Sequence, residues 1–394
     1  MGIFSSTKKE KIIAIFDIGS GSIGGAIARL SSDARTAPVI LASTRIDIAH
    51  HEHGDFDNFL LKMTHALHDT AQKLHDKRVG APEKIFCVLG SPWYLSQTRI
   101  VKMAKEKPFV FSRRVADDLL RKELSSLENE YEEKYGTTKS APVMIEHTIV
   151  SVALNGYVID DPIGKKAKAL EMNIIISLSP QMCIDAISDC LVRTFHDVPV
   201  HYSSFMTSAY LAVRDQFIDP HSYLLVDVGG EVTDVAIVSK GVLKSSLSFP
   251  FGRKEFFRFM STKLNMELRD AEELFSLYRN DALDQKRKET LGPLFELIEQ
   301  SWSEAFYNVL RLLPHALGLP STVFLTADVD VRDWFARALR NGRYVRSIVS
   351  LHPLTVITLD GPNFLPLCKV ENGLCDPFLM IETISISLGF IVTG

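Results

Sequence analysis

The sequence predicts an α/β fold made of two duplicated domains with a small inserted α+β subdomain, and three observations carry that prediction. Residues 17–22 read DIGSGS and residues 227–234 read DVGGEVTD, each directly after an apolar run, KIIAIF in the first case and SYLLV in the second. Each turn is followed by further strand-like stretches and then by helical spacing. Between the two halves lies a segment of different, strongly charged composition, SRRVADDLLRKELSSLENEYEEKYG. One strand-to-turn device therefore recurs 227 − 17 = 210 positions apart, at the head of each half.

Taken in order, a strand over about 11–17 turns through DIGSGS into SIGGAIARL, and APVILASTRI supplies a third strand, a hairpin meander. DNFLLKMTHALHDTAQKLH has helical spacing in Leu60, Leu61, Met63, Thr64, Leu67 and Ala71, and EKIFCVLG reads as the next strand. In the charged segment Ser112 is placed to cap a helix that buries Val115, Leu119, Leu120, Leu124 and Leu127, with Gly136 as its stop. Its charged face reads as solvated surface. IEHTIVSVALNGYVID and LEMNIIISLS read as strands around a turn-rich link, DDPIGKKAKA. Helix PQMCIDAISDCLVRTF, a strand near VHYSS, helix FMTSAYLAVRDQF and strand SYLLVDVGG restore α/β order. EVTDVAIVSKGVLKSSLSF repeats the hairpin, a mostly helical region spans about 253–314, and a last α/β stretch runs from STVFLTAD to ETISISLGFIVTG. The expected boundaries are 1–90 with 171–213 for the first domain, 91–170 for the insert and 214–394 for the second domain.

The totals limit the function classes. A chain of 394 residues suits two or three domains, and a formal charge of −4 from 44 basic and 48 acidic residues gives no nucleic-acid footprint. The five cysteines (Cys87, Cys183, Cys190, Cys368, Cys375) form no CxxC and sit mostly in apolar runs, which predicts reduced core thiols and a cytoplasmic location. There is no signal peptide and no apolar stretch near the roughly 18 residues of a membrane span. MGIFSSTKKEK matches a myristoylation pattern through Gly2 and Ser6, yet so short a pattern reads as a polar tail. HHEHGD over 50–55 reads as an exposed loop, since consecutive histidines do not converge on one ion.

In each turn an aspartate ends an apolar strand and small residues follow. Small residues let the backbone bend and bring its N–H groups to an anion, and a hydroxyl adds a donor. An aspartate at the strand end suits a magnesium ion, directly or through water. Two such hairpins facing each other would grip a nucleoside triphosphate from both sides.

The pair resembles the phosphate signatures of the actin, sugar-kinase and heat-shock-chaperone superfamily, whose actin-like (ribonuclease H-like) fold is a duplicated α/β domain. No Walker A loop is present, and neither glycine turn opens a helix as a dinucleotide fingerprint does. LNGYVIDDPIGKKAKALEMNIIISLSPQMCIDAI, VDVGGEVTDVAIVSKGVL and SFPFGRKEFFRFMSTKLNMELRDAEEL are similar to segments of the cell-division actin homologue family FtsA, with the type IV pilus family PilM as the alternative. The resemblance implies ATP and Mg²⁺ as ligands. It implies Asp17 and Asp227 at the metal, Gly19, Ser20, Gly21 and Ser22 in the first phosphate turn, and Gly229, Gly230, Glu231 and Thr233 in the second. Gly252, Arg253 and Glu272 fall where the family approaches sugar and base, and Ala327 and Asp328 stand where it has a glycine pair.

Those last two residues would crowd or repel a nucleotide, and Glu231 adds a carboxylate beside phosphates. FMTSAYLAV offers hydroxyls but no Gln, Glu or His to orient an attacking water, so a weak ATPase at most is expected, with no catalytic residue assigned. FtsA-like chains continue to an amphipathic membrane helix, and none is visible after SISLGFIVTG, so recruitment to the inner face of the membrane would need a partner. The implied partners are further copies in filaments or dimers, a division protein such as FtsZ, or a short cytoplasmic peptide of an inner-membrane protein. A sugar kinase is disfavoured, because its acceptor site would need a catalytic aspartate in the cleft and the insert at 91–170 is not where such kinases carry theirs.

Overall fold

The computed structural model describes residues 10–33, 36–49, 55–135, 141–217, 221–313, 318–341, 354–373 and 375–393. The myristoylation pattern and the histidines at 50, 51 and 53 lie outside them. Strands β1 (Glu10–Ile18), β2 (Ser22–Ser31) and β3 (Val39–Asp47) form the antiparallel meander expected from the sequence. Helix α1 (Phe56–Asp76) then crosses to β4 (Lys84–Leu89), which lies parallel to β1. Asp55 caps α1 through the N–H of Asn58, and Phe59, Met63, Leu67 and Leu74 fall on one buried face because they recur at helical spacing.

The insert comprises β5 (Leu95–Val110), α2 (Arg113–Tyr135), β6 (Pro142–Leu154), β7 (Tyr157–Val158) and β8 (Lys166–Pro180). Its antiparallel sheet has the order β5-β8-β6-β7, and Ala116, Leu120 and Leu127 of α2 share a core with Met172, Ile174 and Ile176. Ser112 caps α2, its hydroxyl accepting from the N–H of Val115 at 3.4 Å. The chain returns through α3 (Gln181–Phe195), β9 (Val200–Ser204), parallel to β4, and α4 (Phe205–Gln216).

The second half repeats the plan. Strands β10 (Tyr223–Val228), β11 (Thr233–Ser239) and β12 (Val242–Phe249) form a meander, followed by α5 (Arg253–Leu264), α6 (Leu268–Arg279) and α7 (Gln285–Leu312). Strand β13 (Thr322–Ala327) is parallel to β10; α8 (Arg332–Asn341) leads on to β14 (Thr355–Thr358), parallel to β13. The last elements are α9 (Gly361–Phe364), β15 (Lys369–Val370) and α10 (Pro377–Thr393). The first sheet runs β15-β3-β2-β1-β4-β9 and the second β12-β11-β10-β13-β14. Apart from β15 the two orders match strand for strand, so the repeat seen in the turns extends to whole sheets.

Two boundaries differ from the sequence expectation. Strand β8 pairs with β5 or β6 along its length, so the insert runs to Pro180 rather than 170. The reason is that LEMNIIISLS is only the apolar end of one 15-residue strand. The C-terminus also divides: β15 pairs with β3, and Leu379, Met380, Ile381 and Ile384 of α10 are buried in the first core. Residues after about 364 therefore sit with the first domain, because the apolar face of α10 finds α4, β1 and β2. The three tryptophans are packing residues, with Trp93 in the first core and Trp302 and Trp334 in the second. Cys87, Cys183, Cys190 and Cys368 are buried free thiols, while Cys375 is exposed.

Candidate functional site

Each turn closes on itself in the same way. The Gly19 N–H donates to the carbonyl of Ser22 at 3.2 Å, and the Gly229 N–H to the carbonyl of Val232 at 3.0 Å. A Cβ on either glycine would lie 3.1 Å from that same carbonyl, so both positions favour a residue without one. The turns meet face to face. A Cβ on Gly230 would fall 2.2 Å from the Gly21 nitrogen and 2.4 Å from its Cα, and the Glu231 N–H donates to the Ser20 hydroxyl at 2.9 Å. The cavity left between them is about 40 Å³. That is room for a few waters, well below the several hundred Å³ of a typical small-molecule site.

On the first side, Asp17 at the end of β1 is paired. Arg45 of β3 donates through Nη2 to Asp17 Oδ2 at 2.7 Å, through Nε to Asp376 Oδ2 at 2.7 Å and through Nη1 to the Ser22 hydroxyl at 2.9 Å. Burial raises the Asp17 carboxyl above its ordinary value and Arg45 pulls it back. Burial also works against the Arg45 charge, but Asp376 and Asp17 outweigh it and hold the guanidinium protonated. Glu382 of α10 is pushed up strongly by burial and by Asp17.

On the second side, Asp227 accepts from the Thr326 hydroxyl at 2.6 Å and is raised well above the usual carboxylate range by burial, with Asp234 adding to it. Asp234 itself accepts from Ser91 at 2.8 Å and from Ser248, so Ser91 ties the loop after β4 to the second domain. Glu231 is buried and answered by Arg258, whose Nη2 lies 2.5 Å from Oε2, and by Lys254 at 3.9 Å. The Arg253 and Lys254 N–H groups at the start of α5 donate to the carbonyls of Gly229 and Gly230 at 2.8 and 2.7 Å. A helix N-terminus that would suit an anion is thus spent on the turn. Gly252 permits that approach, since a Cβ there would sit 2.4 Å from the Gly229 carbonyl.

Of the expected phosphate residues, Gly19, Ser20, Gly21, Ser22, Gly229 and Gly230 line the cavity together with Asp17 and Asp227. Thr233 does not face it; it is fully buried, donates its hydroxyl to the Phe251 carbonyl and accepts from Trp302 Nε1 at 3.3 Å. Among the expected nucleoside contacts, Ala327 is buried in the second core while Asp328 reaches the cavity. Arg253 lies 3.4 Å from Glu272, 3.8 Å from Asp328 and 2.7 Å from Asp330, whose Oδ1 stays buried without a hydrogen-bond partner among the described residues. Burial lifts Asp328 to about 6 against the pull of Arg253 and Arg45. Arg45, Asp234, Asp376 and Glu382 were not singled out from the sequence. Glu146 was also missed; its Oε1 accepts from Ser177 and Thr207 at 2.8 Å and from Ser204, which fixes the α4 hydroxyls against the insert.

Tested against ATP and Mg²⁺, these residues do not fit the pair as they stand: the turns touch, and Arg45 occupies Asp17, one of the two carboxylates expected to serve the metal. Among the described residues no group of three or more His, Cys, Asp and Glu is placed to hold a metal ion. No helix among them is long and apolar enough to cross a membrane.

Comparison with known proteins fits this architecture. No family model matches the chain. The cell division protein FtsA of Buchnera aphidicola subsp. Baizongia pistaciae is 26% identical over 166 residues, which is 40% of this chain and 38% of that relative. Among solved structures, the PilM–PilN type IV pilus biogenesis complex superposes over 98% of this chain and 99% of its own with a TM-score of 0.62 at 13% identity. The fold is actin-like and is shared with that complex. The ethanolamine utilization protein EutJ of Carboxydothermus hydrogenoformans covers 96% of the chain at 11% identity and a TM-score of 0.44. Within this actin-like frame, the two turns stand at the matching β1–β2 and β10–β11 hairpins of the two sheets.

Proposed function

We propose that this chain is an actin-like adaptor, a protein that acts by holding other proteins and whose central cleft is tied shut by its own side chains rather than by ATP and Mg²⁺. The observation that carries the reading is the direct contact of Gly21 with Gly230, which leaves about 40 Å³ between the turns. In this reading the chain does not turn over nucleotide, and the α4 hydroxyl of Thr207 is engaged by Glu146. The partner class is a short cytoplasmic peptide of an inner-membrane protein, which would bring the chain to the inner face of the membrane. The similarity to PilM, solved together with PilN, supports this partner class.

The second reading is an FtsA-type scaffold in division, in which ATP shifts the shape and drives filaments or docking to FtsZ; the partial FtsA match favours it. High-speed sedimentation with phosphate release, with and without Mg·ATP, separates the two. The adaptor stays in the supernatant and releases no phosphate under either condition. Pelleting that depends on Mg·ATP would establish the scaffold instead.

A further inference from the structure

The cleft gathers more negative charge than a closed interior tolerates alone. Asp17 and Asp376 are nearly buried, Asp328 reaches the same cavity, and Glu382, its carboxyl pushed toward the neutral form by burial and by Asp17, leaves their charge unanswered. Buried carboxylates need a counter-ion with good geometry, or they destabilise the fold.

Arg45 meets that need with a shaped seat. Its guanidinium makes four hydrogen bonds, two to Asp376 and one each to Asp17 and Ser22. Its Cζ lies 5.3 Å from the Phe378 ring centre. It also packs against Gly24, its cross-strand neighbour in β2, where a Cβ would come within 2.6 Å of Nη2 and 2.9 Å of Cζ. Bare backbone, an aromatic ring and two carboxylates around one group match a planar cation that donates in several directions. A divalent cation on Asp17 would have to share a carboxylate with a guanidinium nitrogen 2.7 Å away.

We propose that Arg45 is a built-in counter-ion, occupying the place beside Asp17 that a nucleotide-bound divalent cation would need, so that the closed arrangement is complete without metal or nucleotide. The inference rests on the closed-cleft reading above and assigns its cause to one side chain.

The test is thermal unfolding of the full chain as wild type, Arg45→Ala and Arg45→Lys, each with EDTA, Mg²⁺, Mg·ATP, and dilute guanidinium chloride against sodium chloride of equal ionic strength. Wild-type Tm stays flat in EDTA, Mg²⁺ and Mg·ATP. Arg45→Ala drops by on the order of 5 °C and recovers part of the loss in dilute guanidinium, which does not raise the wild type. Arg45→Lys falls between, because one ammonium cannot serve Asp17, Asp376 and Ser22 together. Should Arg45→Ala not fold, Arg45→Lys decides: a lowered Tm supports the assignment and a wild-type Tm overturns it. An Arg45→Ala protein as stable as wild type, or one that loses stability with no recovery in guanidinium, overturns the counter-ion while leaving the adaptor reading intact. A wild-type Tm that rises with Mg·ATP overturns the adaptor reading itself.

Discussion

The first turn closes on the Ser22 carbonyl and the second on the Val232 carbonyl, each after an aspartate near the end of a buried strand, yet the two are held in place by different means. At the first, a side chain from the adjacent strand, Arg45, bridges Asp17 and Asp376. At the second, backbone does the work: the first N–H groups of α5 reach the Gly229 and Gly230 carbonyls, and Arg258 from the same helix answers Glu231. The difference teaches that one duplicated device has been shut twice, once by a residue and once by the placement of a helix. A side-chain closure is undone by one substitution, whereas a helix-built closure is undone only by disturbing the backbone that admits it.

Four substitutions sharpen that contrast. Gly252→Ala attacks the backbone closure, since its Cβ would lie 2.4 and 2.6 Å from the Gly229 and Gly230 carbonyls. Urea unfolding should register a loss of about 3 kcal/mol, as fixed backbone cannot step aside. Gly24→Ala attacks the side-chain closure by lifting Arg45 off its seat; a loss of about 2 kcal/mol in the same assay is expected, smaller because a guanidinium tip can move. Arg258→Ala removes the guanidinium that answers buried Glu231, with Lys254 standing 3.9 Å away, and should cost about 1–2 kcal/mol by chemical denaturation.

The smallest effect depends on pH. Burial raises Asp328 from its ordinary value of 3.8 to about 6 in the folded protein, so the folded state holds the proton more tightly than the unfolded one. Stability from this group is fully present below about 3.8 and is lost as pH rises through about 6. Asp328→Asn removes the loss, and its unfolding free energy relative to wild type, read by chemical denaturation, should climb across that window to an advantage of about 1 kcal/mol, given the 30% exposure of the side chain. A constant offset across the window would show that Asp328 does not titrate there.

What was legible in the sequence was local. An apolar strand followed by D-x-G-x-x announces its own turn, and Ser112 and the apolar spacing announced α2. The strand orders of the two sheets match because the repeat carries its topology with it. Arg45 was not legible as more than a strand residue in ASTRI, because its partners lie 28 and 331 positions away and meet it only through the register of β2 with β3 and the return of α10. Alternation along TDVAIV puts Thr233 and Val235 on one face and Asp234 on the other, but both faces carry core residues, so which one meets the cleft follows only from the packed structure, where Asp234 lines it. Contact between the turns is a property of how the domains pack, and no spacing encodes it.

The most direct test of a cleft closed by the chain itself is a titration of wild type and Asp17→Ala with a fluorescent ATP analogue in the presence of Mg²⁺. The predicted result is no saturable signal from either protein. Saturable binding by the wild type that is lost in Asp17→Ala would mean the two turns part to grip a triphosphate, and would contradict the account.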